Sequence, residues 1–259
     1  MPASFEALFG PVSPGAFVLA VVTMLAAGFL RGFVGFGASM LIVMVLSLVL
    51  GPVAAVPIAN LTGVPASVQL LPAAIRNGDR SFVIPFFVTS IIAAPIGTLL
   101  LITLDAALMN IAIALFVLAM LAILYRGWQL PTTVNPGIMV GFGLGAGFVQ
   151  GAGGVGGPPA VVVALARPGT VQSQRGNVVG AVSALSLASL FPFWYHGLFT
   201  HEVLLLSLLF FPLYSGATWV GVRYFAGKGG KHYRNAALLA LAVIGVVTLT
   251  VAVRNFIAG

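Results

Sequence analysis

Long stretches without a charged residue make up most of this chain. Its uncharged intervals run over residues 7–30, 32–75, 81–104, 106–125, 127–166, 176–201, 203–222 and 235–253. Six intervals match the length of one membrane helix, about 20 residues, and the two of 44 and 40 residues match two helices each. The runs lack the polar and apolar alternation of barrel strands. The pattern predicts an all-α, polytopic helical membrane protein with about ten membrane segments.

The composition excludes most enzymes. Hydrophobic residues are 60% of the chain and charged residues 6%, which leaves little room for a soluble domain. There is no cysteine, so disulfides, thiolate metal sites and cysteine nucleophiles are excluded. All four carboxylates lie outside the predicted spans, at Glu6, Asp79, Asp105 and Glu202. We therefore expect no catalytic residues, no metal site and no cofactor.

The basic residues predict the orientation in the membrane. If ten segments cross or return in pairs, nine of the eleven Lys and Arg residues fall on one side: Arg76, Arg80, Arg126, Arg167, Arg175, Arg223, Lys228, Lys231 and Arg234. By the positive-inside rule this side is cytoplasmic, and both termini are periplasmic or extracellular. The net charge of +7 then reflects membrane orientation and attraction for anions, and we expect no nucleic-acid partner.

An internal repeat divides the chain. At an offset of 119 residues, Gly28–Gly37 and Gly147–Gly156 are identical at five of ten positions. Further matches pair glycines and an Asn-x-x-Gly segment: Gly78 with Gly197, Gly97 with Gly216, and Asn60–Gly63 with Asn177–Gly180 after a two-residue slip. We predict a first repeat over 1–126, a cytoplasmic linker over 127–136 and a second repeat over 137–259. Each repeat has five segments, an odd number, so the second copy is inverted, as in many secondary transporters.

Short segments broken by glycine occur in both halves. The segments 38–50, 137–150 and 157–166 are too short to cross a core of about 30 Å. Their glycine tips should lie inside the membrane, and the backbone N–H groups of Gly35, Gly37, Gly153, Gly154 and Gly156 should face an anion. Glycines four residues apart, such as Gly141 with Gly145 and Gly143 with Gly147, are more typical of close helix packing. The G-x-G-x-x-G pattern at Gly151 lacks the strand and the acidic residue of a dinucleotide site.

The doubled glycine pattern resembles a known transporter family. With G-F-L-R-G-F-V-G-F-G over 28–37 and G-F-V-Q-G-A-G-G-V-G-G-P-P over 147–159, the chain resembles the TauE/SafE family of sulfite and organosulfonate exporters, also grouped as toluenesulfonate uptake permeases. The resemblance implies a bacterial-type inner-membrane carrier for small sulfur-containing anions. Phe33 and Phe36 stand where the family often has small residues, which implies a narrower cavity or a different substrate size.

Five polar side chains in apolar surroundings are candidate substrate contacts. Arg31 and its repeat mate Gln150 could offer one ionic and one neutral hydrogen-bonding partner; alternatively, Arg31 snorkels to the headgroups. Asn60 and Asn177 could bind the ligand, or bond between helices. Arg175 could guard the cytoplasmic mouth, or serve only as a positive-inside charge.

The predicted function is secondary transport of a small anion, bound near the bilayer midplane between the two glycine breaks. Sulfite, thiosulfate and organosulfonates are the favoured substrates. The alternatives are an anion-selective channel and a carrier for another small organic anion such as a carboxylate, because backbone N–H groups and one Arg serve a pore equally well. The expected partners are the anion and the lipid bilayer, and a homodimer is one option for the assembly.

Overall fold

The structure, a computed structural model, describes residues 14–105 and 136–227, together with isolated helical positions between 108 and 122 and between 235 and 250. The predicted linker, Pro136 excepted, and most of the predicted segments 106–125 and 235–253 lie outside the described residues. The helices are α1 (Pro14–Phe33), α2 (Ala38–Leu50), α3 (Pro52–Asn77), α4 (Arg80–Thr103), α5 (Pro136–Gly153), α6 (Gly157–Ala166), α7 (Val171–Tyr195) and α8 (His201–Ala226).

Five of these helices are long and apolar enough to cross a membrane: α1, α3, α4, α7 and α8. At about 1.5 Å per residue, α2 with its 13 residues and α6 with its 10 are too short to do so. The predicted bounds of α2 and α6 are confirmed. Helix α5 is longer than predicted, because the turn after Gln150 continues and the Gly154 N–H donates to the Gln150 carbonyl at 2.8 Å.

Polar side chains and glycines set the ends of the helices. The Thr170 and Thr200 hydroxyls accept the N–H groups of Ser173 and Val203, which fixes the starts of α7 and α8. Asp79 accepts the Ser81 N–H at 2.9 Å at the start of α4. Helix α2 lies between Gly37 and Gly51, whose φ values of 84° and 76° are strained for other residues.

Two central helices, α3 and α7, pack antiparallel. The end of α3 meets the start of α7, where Gly78 contacts Gly176, and further along Leu70 and Ala74 pack on Val179. Helix α4 follows α3 and helix α8 follows α7. Each central helix therefore ends on the face of the bundle where the next helix begins.

Two further helix pairs, α1 with α8 and α4 with α5, pack parallel. Along α1 and α8, Gly28 approaches the Tyr214 carbonyl and Gly32 the Thr218 carbonyl. Along α4 and α5, Gly147 approaches Ser90 and Gly151 the Ala94 carbonyl, in the same direction. Helix α1 therefore begins on the face where α8 begins, and α5 on the opposite face, where α4 begins.

Glycine supplies the close approach in these contacts. A Cβ at Gly32 would lie 2.0 Å from the Thr218 oxygen, and one at Gly151 would lie 2.1 Å from the Ala94 oxygen. The packing prediction is confirmed for Gly143 and Gly147, which contact Thr89 and Ser90. A Cβ at Gly141 or Gly145 would meet no described residue within 4 Å, so close packing at these two glycines stays a prediction.

One pairing of the sequence repeat needs correction. Gly97 is buried and its Cβ would lie 1.9 Å from the Phe148 oxygen, whereas Gly216 is exposed and touches nothing within 4 Å. The equivalent contact is made by Gly221, whose Cβ would lie 2.3 Å from the Phe29 oxygen. The match of Gly97 with Gly216 is wrong, since the corresponding helices are shifted by five further residues.

Candidate functional site

Arg31 lies at the junction of α1, α3 and α7. Its guanidinium donates to the Gly35 carbonyl at 2.7 Å and to the hydroxyls of Ser67 at 3.0 Å and Ser183 at 3.1 Å. The residue is 3% exposed, so the snorkelling interpretation is wrong. Within the described residues no carboxylate contacts this guanidinium. Arg31 is thus a buried cation surrounded by neutral acceptors.

The position of this cation along the long helices places it at mid-depth. Ser183 is 12 residues from either end of α7, Val171–Tyr195, and Ser67 is near the centre of the 26-residue α3. At about 1.5 Å per residue, each half of α7 is about 18 Å long, roughly half the thickness of a bilayer core and its edge. The guanidinium therefore lies near the middle of the two central helices.

The first glycine tip, residues 34–37, is fixed from two sides. Gly35 and Gly37 have φ values of 95° and 84°, and a Cβ at Gly35 would lie 2.9 Å from Val179. Arg175 reaches across from α7: its Nε donates to the Phe33 carbonyl at 3.2 Å, and its Nη2 donates to the Gly32 carbonyl. Arg175 is 5% exposed and holds the C-terminal end of α1, where a cation is favourable.

The second tip, residues 154–156, is fixed by Gln150. The Gln150 Oε1 accepts the Gly156 N–H at 3.1 Å, and its Nε2 approaches the Ser189 hydroxyl at 3.5 Å. Gly154 has a φ of 67° and packs on Val56 of α3. Arg31 and Gln150, which match in the sequence comparison of the two halves, each bind the backbone of their own tip: Arg31 donates to the Gly35 carbonyl, and Gln150 accepts the Gly156 N–H. Gly153 is buried and ends α5.

The two tips meet at Phe36. A Cβ at Gly157 would lie 3.8 Å from the Phe36 Cβ, and Phe36 is fully buried. The N-termini of α2 and α6 thus begin beside each other, and no side chain caps either one. Among the predicted N–H donors, those of Gly35, Gly154 and Gly156 bond within the protein, to the Leu30 and Gln150 oxygens.

Asn60 and Asn177 are both 3% exposed but differ in their contacts. The Asn177 Oδ1 accepts the Asp79 N–H at 2.6 Å, which binds α7 to the turn between α3 and α4. Within the described residues both polar atoms of the Asn60 side chain are without a partner. One turn along α3, Gly63 is also buried, and a Cβ there would meet no described residue within 4 Å. Space and unused hydrogen bonds therefore coincide on this face of α3.

An ion pair joins the two halves beside Asn177. Arg167, after α6, binds the Asp79 carboxylate, with side-chain exposures of 17% and 35%. The Ser81 hydroxyl donates to the same carboxylate at 2.6 Å, and this hydrogen bond, aided by Arg167, lowers the pKa of Asp79 below its ordinary value. Sequence reasoning did not single out this pair, because charges of opposite sign 88 residues apart carry no local pattern.

A cavity of about 410 Å³ lies between α3, α4 and α7. Its wall is aliphatic and aromatic apart from two side chains, Arg80 at the start of α4 and Ser183, which also binds Arg31. The sequence did not identify Ser67 and Ser183 as site residues. Their signal is weak, because α7 also carries Ser186, whose hydroxyl bonds only to the backbone of its own helix within the described residues.

A protein-family model described as sulfite exporter TauE/SafE matches residues 20–248. The chain belongs to this family. As a TauE/SafE protein it is a multi-pass transmembrane transporter and not an enzyme. The match extends over both glycine tips and all the contacts of Arg31. No curated protein and no solved structure matches the chain significantly.

Proposed function

We propose that this TauE/SafE transporter exports sulfite, thiosulfate or a small organosulfonate across a bacterial inner membrane, with Arg31 as the main positive charge for the anion. The supporting observation is the buried guanidinium, which has only neutral acceptors within the described residues. An uncompensated charge inside a membrane protein is costly and marks an ion pathway in most cases. A bound anion would compensate the charge.

The bidentate geometry of arginine suits this substrate class. A planar guanidinium presents parallel N–H groups that match two oxygens of a sulfite or sulfonate group. The N-termini of α2 and α6 follow glycine N-caps, lie beside each other at Phe36 and add partial positive charge. Asn60 supplies further unused donors and Gly63 adds space. Gly35, Gly37, Gly153, Gly154 and Gly156 shape the tips, Gln150 and Arg175 hold them in place, and Asn177 binds the turn between α3 and α4.

Two inverted repeats would account for the packing. The contact of α1 with α8 has the same direction and glycine pattern as that of α4 with α5, and α1 and α5 begin on opposite faces. We infer repeats over 1–126 and 137–259 with a linker over 127–136. The face with Arg76, Arg80, Arg167 and Arg223 is then cytoplasmic, and the termini are outside.

Binding measurements on Arg31 variants test the proposal. Purified protein in nanodiscs is titrated with sulfite, thiosulfate, sulfoacetate, taurine and acetate. Arg31→Gln copies the residue of the second repeat and should weaken binding of the preferred anion by about 1.5–3 kcal/mol, the range for a charged hydrogen bond. Arg31→Lys should retain part of the affinity, since it keeps charge without the planar fork.

Arg76→Gln is the matched control. Arg76 lies exposed at the end of α3, away from the tips, so its loss removes the same charge without touching the site. Unchanged affinity in a folded Arg31→Gln variant would contradict the role of Arg31. Preference for acetate over every sulfur anion would favour the carboxylate alternative.

A further inference from the structure

The cavity between α3, α4 and α7 has two polar side chains, Arg80 and Ser183, in an otherwise apolar wall. Arg80 is exposed at the start of α4 and makes no hydrogen bond or ion pair within the described residues. Ser183 lies at the midpoint of α7 and accepts a hydrogen bond from the Arg31 guanidinium at 3.1 Å, and the lining continues one turn further, to Leu187. The cavity therefore extends from an exposed cation to a hydroxyl that binds the buried one.

Ser183 differs from the neighbouring serines in how it uses its hydroxyl. Ser67, Ser186 and Ser189 each donate to a carbonyl four residues earlier, at 2.9–3.1 Å. Ser183 makes no such bond in the described structure and serves only as an acceptor for Arg31. Its proton is therefore free to be donated, and a hydroxyl that accepts from a cation is a stronger donor because the two bonds polarise one another.

We propose that this cavity is the vestibule through which the transported anion reaches Arg31, and that Ser183, on its wall, is the specificity-determining residue. The proposal rests on the proposed function. Arg80 attracts the anion at the entrance, and Ser183 donates its hydroxyl proton to an anion oxygen while it accepts from Arg31. The anion then takes the place of the Ser183 hydroxyl as a hydrogen-bond acceptor of the Arg31 guanidinium.

The wall of the vestibule favours an anion with an apolar body. Leu71, Ile75, Ile84 and Phe87 form much of the lining, and a volume of about 410 Å³ exceeds that of a bare inorganic anion. Carbon groups of the substrate would be removed from water against these side chains, which is favourable in proportion to the area buried. We expect benzenesulfonate to bind at least tenfold more tightly than methanesulfonate, which has the same charged group.

Single cysteines test the route directly, because the natural chain has none. Ser183→Cys and Ala184→Cys lie in the vestibule, whereas Ser189→Cys lies further along α7, fully buried and outside the lining. The reagent is sodium 2-sulfonatoethyl methanethiosulfonate, itself a sulfonate. We expect the two vestibule positions to react at least tenfold faster than Ser189→Cys, and saturating benzenesulfonate to slow them several-fold.

An affinity measurement separates substrate contact from a structural role. Ser183→Ala should weaken benzenesulfonate binding by the folded protein about tenfold, which corresponds to about 1.4 kcal/mol, and should also lower thermal stability, because the buried Arg31 guanidinium loses one acceptor. Ser186→Ala is the control, because its hydroxyl bonds only to the Val182 carbonyl. Equal reactivity of all three cysteines, labelling unaffected by ligand, or equal affinity for the two sulfonates would overturn the vestibule. If the wild-type protein binds no sulfur anion at all, the proposed function itself fails.

Discussion

The contacts of the buried polar side chains that the sequence singles out separate two roles. Arg175, Gln150 and Asn177 each bind backbone groups of a tip or turn, so their hydrogen bonds are used within the fold. Within the described residues the Asn60 side chain has no hydrogen-bond partner, and Arg31 has neutral partners only. A buried polar group without a partner costs free energy, which makes Asn60 and Arg31 the residues most in need of a ligand.

The two equivalent asparagines should therefore respond oppositely to truncation. Asn177→Ala removes the acceptor of the Asp79 N–H and should destabilise the protein by about 1–3 kcal/mol. Asn60→Ala removes a desolvated, unpaired amide and should leave thermal stability unchanged or raise it, while it weakens anion binding. Melting temperatures and titrations of both variants in the same detergent check this. A clear loss of stability in Asn60→Ala would show that its amide has a structural partner.

The Asp79 carboxylate should make stability depend on pH. The pKa of Asp79 is lowered by the Ser81 hydroxyl and by Arg167. Its contribution to the free energy of unfolding is therefore complete above the pKa of the unfolded state and is lost as the pH falls through the pKa of the folded state. Below about pH 4, wild-type protein should lose stability that Asp79→Asn does not lose. The difference should stay below about 1 kcal/mol, because partly exposed pairs contribute little. Glu202→Gln at the exposed start of α8 serves as the control, and a difference that persists unchanged to pH 2 would contradict the assignment.

At the scale of elements, the sequence predicts lengths and breaks better than contacts. Helices α2 and α6 were predictable to the residue because glycine and proline bound each one. The match of Gly97 with Gly216 failed because a single offset fits the glycine tips but not the later helices, where the contact like that of Gly97 is made by Gly221, 124 residues further along. The vestibule and the hydroxyls of Ser67 and Ser183 were not predictable, because they depend on the angles at which α3, α4 and α7 meet.

The corrected pairing of glycines can be tested by adding one methyl group. Gly97→Ala places a Cβ against the Phe148 carbonyl, and Gly221→Ala places one against the Phe29 carbonyl, so each should force its helix pair apart. We expect each to destabilise the protein by about 1–3 kcal/mol, as overpacking does. Gly216→Ala meets open space and should be neutral or stabilising. Equal losses at Gly97 and Gly216 in thermal denaturation would instead support the offset of 119 residues.

At the scale of the whole molecule, the antiparallel central helices fix which loops share a face. The end of α3 lies beside the start of α7, so Asn77 and His201 are at opposite ends of the bundle. Both are exposed. We expect Asn77→Cys to react with an impermeant maleimide from the cytoplasmic side and His201→Cys from the outside. Reaction of both from one side would contradict the inverted arrangement, and reversed sides would contradict only the charge-based orientation.

The energy source for transport follows from the distribution of charge. Proton-coupled carriers usually place Asp, Glu or His inside the membrane. The described carboxylates instead lie at helix ends, since Asp79 caps the start of α4, Asp105 follows its end and Glu202 is in the first turn of α8, whereas the buried Arg31 is a fixed cation. An inside-negative potential drives each negative charge outward by about 2.3 kcal/mol per 100 mV, so voltage alone could support export.

Proteoliposomes with a potassium diffusion potential set by valinomycin, at equal pH and sodium on both sides, test voltage-driven export. Anion efflux should rise as the interior becomes more negative, and Arg31→Gln should lower the flux at every voltage, whereas Arg76→Gln should not. Flux that ignores voltage and follows an imposed pH gradient would contradict voltage-driven export and indicate transport of the protonated substrate. Flux that requires a sodium gradient would indicate cation binding at the carbonyls of the helix breaks, as discontinuous helices allow.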